Sequence, residues 1–188
     1  MTGVWVVLGA IVVLVLAVVV SYNRFVSQRN LVRSSWANID TELQRRYDLV
    51  PNLVETVKGY AGHERETLDA VVRARATAQA TEGPPAQQAA AEGPLVGALR
   101  QLFAVAEAYP ALRANENFVQ LQQELAVTED RLQAARRFYN ANVQELNRRV
   151  QAFPSNLIAR QFGFTEAQYF EIEAAVRDDV ARPPRIEF

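Results

Sequence analysis

The sequence predicts an all-α protein: an N-terminal transmembrane helix followed by an elongated antiparallel bundle of long helices, built like a four-helix bundle. Three observations carry that expectation. An uncharged apolar run opens the chain, two long stretches behind it repeat apolar residues at spacings of three and four, and glycine and proline gather at a few points between them.

The opening run, VWVVLGAIVVLVLAVVV from Val4 to Val20, contains no charged residue. Taken to Tyr22 it is about 19 residues long and spans roughly 28 Å at the helical rise, close to the hydrocarbon thickness of a bilayer. Val4, Trp5, Leu8, Ile11, Leu14, Leu16 and Val20 leave it no polar face, whereas the core helix of a soluble protein normally keeps one. A cleaved signal peptide needs a positive start and a small-residue cleavage site. Met1, Thr2 and Gly3 have no side-chain charge and Leu16 to Ser21 offers no A-x-A pattern, so the run reads as an uncleaved anchor. Basic residues flanking a span stay on the cytoplasmic side. Arg24, Arg29 and Arg33 follow the run and no side-chain charge precedes it, which predicts an outside N-terminus and a cytoplasmic body. The same arginines are candidates to touch anionic lipid headgroups.

The domain boundaries expected are therefore an anchor over 1–22 and one helical domain over 23–188, because about 165 residues suffice for a single core and not for two. The formal net charge of −1 argues against a general nucleic-acid binder, which needs a basic face. No cysteine is present, so neither disulfides nor thiolate chemistry enter.

Behind the anchor, Val32, Trp36, Ile39, Leu43, Tyr47, Val50, Val54, Val57, Ala61, Leu68 and Val72 form one stripe with a single wide gap. The stripe keeps its phase across Pro51, which predicts one long helix to about Ala80 with a kink or a single broken turn at the proline. Asp48 and Asn52 bracket Pro51 and are candidates to satisfy backbone groups freed there, with Tyr47 beside them. The segment 81–94, TEGPPAQQAAAEGP, has two glycines, three prolines and almost no large apolar residue, and reads as a flexible loop. A shorter amphipathic helix is expected from Leu95 to Ala108.

Asn117 with Gln120 predicts a capping box that opens a second long helix. Phe118, Leu121, Leu125, Leu132, Tyr139, Leu146 and Phe153 stripe it near heptad spacing until Pro154 stops it. The expected bundle core is Trp36, Ile39 and Leu43 from the first long helix against Phe118, Leu121, Leu125, Leu132, Tyr139 and Phe153 from the second. A short helical piece over 156–161 follows, then a last helix from Glu166 to about Asp179, capped by Thr165 with Gln168. The tail, with Pro183 and Pro184, is expected to be extended, with Ile186 and Phe188 as small anchors.

No residue pattern supports catalysis or a cofactor. His63 and Glu64 begin like a zinc-protease helix, but H-E-x-x-H needs a second histidine where Thr67 stands, and the chain has one histidine in all. A carboxylate-bridged dimetal bundle also lacks its paired Glu-x-x-His ligands, and no P-loop, G-x-S-x-G or dinucleotide turn occurs. Polar residues near the stripes, among them Asp40, Asn115, Asn117, Asn140, Asn142 and Asn147, have two readings: a recognition or oligomer-fixing surface, or caps and solvated faces. The second is favoured for most. Arg45 and Arg46 are expected to pair with acids on neighbouring turns.

Several strings resemble the LemA family of bacterial membrane proteins. They are YNRFVSQRN from Tyr22, Trp36 with Ile39 and Asp40, RRYDLVPNLVETVKGYAGHERETL from Arg45, YPALRANENF from Tyr109, LQQEL from Leu121, TEDR from Thr128, ARRFYN from Ala135, the Phe153–Pro154 pair and FGF from Phe162. Leu146 stands where an aromatic would be expected, and the tail reads PPRIEF in place of a regular P-x-V-x-F. The resemblance implies a single-pass inner-membrane anchor and an elongated helical bundle. It also implies loose links to envelope stress, to membrane-bound metalloproteases and, in magnetosome-forming bacteria, to membrane compartments. The expected function is a non-enzymatic, membrane-anchored scaffold or adaptor that self-associates as a homo-oligomer and meets a membrane protease or other membrane protein, with the lipid bilayer as its fixed partner. The alternatives are a sensor or receptor that holds a small molecule or peptide, and a membrane-remodelling scaffold.

Overall fold

The computed structural model describes residues 2–172. Among these it contains six helices and no strand: α1 Thr2–Ala61, α2 Arg65–Ala80, α3 Pro85–Glu107, α4 Pro110–Arg113, α5 Glu116–Gln151 and α6 Ser155–Phe162. The architecture is a helical bundle. By internal contacts the described chain forms two units, residues 2–39 with 135–168, and residues 40–134 with 169–172. The helices α1 and α5 contribute to both.

The apolar run forms the first turns of α1. It is long and apolar enough to cross a membrane, and its side chains are exposed, with Trp5 at 73% and Leu14 at 66%. In the first unit Gln28 donates to the Asn142 carbonyl at 3.1 Å and Trp36 meets Tyr139 edge-on at 5.4 Å, so α1 and α5 run antiparallel there. Ile39 is fully buried and Trp36 half-buried; Tyr139, Val143 and Leu146 of α5 are buried in the same unit. In the second unit Leu43, Val50, Leu53 and Val57 of α1 are buried, as are Leu68 and Val71 of α2, Leu95, Leu99 and Leu102 of α3, and Phe118, Leu125 and Leu132 of α5. Leu121 is only half-buried.

Five expectations need correction. The first long helix does not reach Ala80: it stops at Ala61, and Gly62, His63 and Glu64 turn the chain into α2. This break falls inside the wide gap of the stripe between Ala61 and Leu68, where no buried side chain was available to hold a helix to the core. Pro51, by contrast, lies within an unbroken α1.

The segment 81–94 is not a loop beyond Pro84. Pro85 takes the first helical position, where its missing N–H costs nothing, and α3 continues through Pro94 to Glu107. The buried face of its first turns is Gln88, Ala89 and Glu92, residues that carry no large apolar signal, while alanine favours the helix.

The cap of α5 is Asn115, whose Oδ1 accepts the Phe118 N–H at 2.9 Å, two residues before the expected Asn117. Phe153, expected in the core, is 80% exposed at the corner between α5 and α6. Residues 164–172 form no helix, so Thr165 is not a cap there; the remainder of the expected last helix and the tail, with Ile186 and Phe188, lie outside the described residues.

Candidate functional site

In the second unit a buried polar cluster occupies the position where the apolar stripes of α1, α2, α3 and α5 would otherwise meet. Arg46 of α1 is 1% exposed and Glu92 of α3 fully buried; they pair at 2.9 Å, and Arg46 also reaches Glu129 of α5. Tyr47 donates its hydroxyl to Glu92 Oε1. The Gln88 amide donates to Glu92 Oε1, to the Tyr47 hydroxyl and to the Ala78 carbonyl, each at 3.1 Å. Both carboxylate oxygens of Glu92 are thus satisfied, as a charge buried this deeply requires. Burial pushes the Tyr47 phenol up, reinforced by its bond to Glu92, so it stays protonated.

A second device joins this cluster to Pro51. Proline has no N–H, so the carbonyl four residues earlier, that of Tyr47, loses its helical partner. Arg75 Nε of α2 donates to that carbonyl at 2.6 Å. The expectation that Asp48 or Asn52 would do so is corrected here: Asp48 accepts from Gln44 at 2.9 Å, and the Asn52 carbonyl accepts the Thr56 hydroxyl at 2.8 Å. The gap left by proline is closed from another helix, which a reading of neighbouring residues could not find.

Arg46 was likewise expected to pair along its own helix. Arg45 does, with Glu42 at 3.8 Å, while Arg46 crosses to Glu92 and Glu129. The signal in the sequence is a lone arginine inside the apolar stripe, next to Tyr47, with a glutamate in an otherwise bland alanine-rich segment.

In the first unit the FGF string acts as a clasp. Gly163 adopts φ 70°, which glycine reaches without strain, and Phe164 N–H returns to the Ala159 carbonyl at 2.9 Å to close α6. The turn lays Phe164 on Phe25, stacked at 4.8 Å, and sets Phe162 edge-on to Tyr22 at 5.0 Å. Arg29 lies over the Phe164 ring at 5.2 Å. Beyond it, Asn147 of α5 exchanges two hydrogen bonds with Ala167, Oδ1 accepting its N–H at 2.8 Å and Nδ2 donating to its carbonyl at 3.0 Å. Tyr139 donates to the Gln168 carbonyl at 2.8 Å, and burial pushes its phenol up to about 12. These bonds satisfy an extended backbone that would otherwise need a helix of its own.

Arg24 and Arg33 are exposed, Arg24 beside a cleft of about 450 Å³ at the end of the apolar run. Two clefts of the second unit, of about 440 and 450 Å³, are also open at the surface. Among the described residues no three His, Cys, Asp or Glu side chains gather to hold a metal, and His63 sits exposed in the turn after α1.

Fold and site together define a helical-bundle protein with a candidate N-terminal membrane span and a buried charge cluster. Its sequence matches the family described as LemA over residues 35–188. The chain belongs to the LemA family. It is similar to magnetosome protein MamQ 2 of Paramagnetospirillum magneticum, at 25% identity over 93% of this chain and 73% of that protein. It is also similar to protein LemA of Metamycoplasma hominis, at 24% identity over 84% of this chain and 72% of that protein. Magnetosome protein MamQ of Magnetospirillum gryphiswaldense shows 22% identity over 93% and 73% of the two chains.

Proposed function

We propose that this chain is a non-enzymatic scaffold or adaptor held by α1 in the inner membrane of a bacterium, with its N-terminus outside and its helical body in the cytoplasm. One observation carries the reading: α1 is a single helix from Thr2 to Ala61, so the element that holds the apolar run also supplies Ile39, Leu43, Tyr47 and Val50 to the core. A helix of that kind transmits the position of the membrane directly to the folded body, with no linker between. The arginines after the run and the uncharged residues before it set the orientation. Open surface clefts and a buried cluster whose charges are all paired suit a protein that presents a face to others better than one that turns over a substrate. Self-association and work beside a membrane-bound protease, in envelope stress, are part of the same proposal.

The relatives named as magnetosome proteins favour a second reading, a scaffold that shapes or organises a membrane compartment. Gentle-detergent purification of the full chain, followed by size analysis and identification of co-purifying proteins, tests both. A scaffold yields a discrete oligomer or a stoichiometric protein complex. A monodisperse monomer that turns over a substrate would overturn the proposal.

A further inference from the structure

The exposed corner at Phe153 has neighbours that explain its exposure. Ala17 and Val20, both inside the apolar run, line one cleft together with Ala152 and Ser155, which flank the corner. Ala17 lies about 7 Å before Tyr22 along the helix axis, so a cleft that it lines opens level with the end of the span. Phe162, at the far end of α6, meets Tyr22 at 5.0 Å, and Ser155, at its near end, lines the cleft with Val20 and Ser21, so both ends of α6 lie beside the end of the apolar run. Along this stretch Phe153, Leu157 and Phe162 are 80%, 55% and 48% exposed, and within α6 only Ala159 is buried.

The same cleft is basic on its other walls. Arg24, Arg148 and Arg149 line it, and Ser155 stands among them with its hydroxyl donating to the Arg149 and Ala152 carbonyls at 2.7 and 2.9 Å. Arg148 and Arg149 each pair with Glu145 at 2.7 Å, while Arg24 makes no ion pair among the described residues. Two of the three guanidiniums therefore share one carboxylate and the third has none, which leaves an excess of positive charge where headgroups would lie. Guanidiniums match phosphate oxygens in geometry, and aromatic and aliphatic side chains flanked by arginine partition into the interfacial layer.

We propose that the corner between α5 and α6 is a second membrane contact: Phe153 and Leu157 enter the interfacial layer of the bilayer that α1 crosses, and Arg24, Arg148 and Arg149 hold the phosphate of an anionic phospholipid beside it. This rests on the reading of α1 as a membrane span. The core prediction for Phe153 then failed for a definite reason: its apolar phase is real, but the phase is satisfied by lipid.

The absence of native cysteine makes the test clean. The full-length Phe153→Cys variant carries a nitroxide label in nanodiscs containing phosphatidylglycerol, with an Asp69→Cys label as the water-exposed reference. The expected result is a label at 153 open to oxygen and shielded from a water-soluble nickel chelate, the reverse of the reference; Leu157→Cys gives the same pattern independently. Replacing Arg24, Arg148 and Arg149 together by Gln lowers the phosphatidylglycerol retained on purification by on the order of tenfold. Labels at 153 and 157 as open to nickel as the reference, in a chain that resists carbonate extraction, overturn the proposal, as does unchanged lipid retention. Loss of the wild-type chain to the carbonate wash overturns the membrane span itself, a separate outcome.

Discussion

The two units solve the same problem with opposite chemistry. Each must hold a stretch of chain that helix periodicity alone would not place. The second unit does it with buried charge: Arg46, Glu92 and Glu129 link α1, α3 and α5, and Arg75 repairs the backbone at Pro51. The first does it without a buried ion pair, with rings around Phe164, the exposed Arg29 over one of them, and the neutral amide of Asn147 on an extended backbone. The difference teaches where each unit is vulnerable. A buried ion pair gives little net stability when intact, but removing one partner strands the other in a medium that cannot solvate it. Neutral hydrogen bonds to backbone fail locally and by smaller steps.

The sharpest way to break that contrast is at Arg46. Arg46→Ala leaves Glu92 buried without its cation, and we expect a loss of about 3–5 kcal/mol in urea-unfolding stability. The paired replacement of Arg46 by Met and Glu92 by Leu should cost less than the single change, because the one carboxylate left without its cation, Glu129, is 41% exposed and can be solvated. A single variant as stable as wild type would show that the cluster is hydrated in solution.

Next in size is the response to alkali. The Tyr139 phenol is raised from 10.0 to about 12 in the folded state, so the folded form keeps its proton where the unfolded form begins to lose it. Its contribution is complete below pH 10 and is lost as pH rises towards 12. The span corresponds to roughly 2–3 kcal/mol at about 1.4 kcal/mol per pH unit. Tyr139→Phe should flatten the decline of melting temperature in that window while costing about 1 kcal/mol at neutral pH through the lost bond to Gln168. An unchanged alkaline decline would mean that another group governs it.

The legible part of the fold was whatever apolar spacing encodes. The unpolar run, the antiparallel stripes of α1 and α5 and the corner at Pro154 could all be read. The break after Ala61 has its own signal, the gap between Ala61 and Leu68, whereas Pro51, the stronger helix breaker by residue type, lies in an unbroken helix. What stayed hidden has one physical cause: partners far apart in sequence. Nothing near Pro51 announces Arg75, nothing near Arg46 announces Glu92, and a helix whose inner face is Gln88, Ala89 and Glu92 resembles a loop until the pairing is known. The extended stretch after Gly163 reads as a helix in the sequence because the donor and acceptor that satisfy it stand on α5.

Arg75 offers a smaller and more discriminating test. Arg75→Ala leaves the Tyr47 carbonyl without a donor, at a cost of about 1–3 kcal/mol. In a Pro51→Ala background the helix regains its own N–H at position 51, so the cost of losing Arg75 should shrink to a fraction of that. The coupling between the two positions is the measurement. Additive effects would mean that Arg75 stabilises the unit by packing and not through that carbonyl.

The smallest effect expected is at Asn147, and it isolates the neutral strategy. Its amide presents one acceptor and one donor to Ala167, as a neighbouring strand would, so Asn147→Ala removes both bonds without moving charge. The loss should be about 1–2 kcal/mol, since each such bond contributes roughly 1 kcal/mol net. The decisive readout is local. Amide exchange at Ala167 should rise sharply while amides in the middle of α5 keep their protection, because the stretch after Gly163 can detach without unfolding the helices. If α5 loses protection together with Ala167, then the first unit opens as one body. Its clasp would then be as cooperative as the charge cluster of the second, and the contrast between the two strategies would fail.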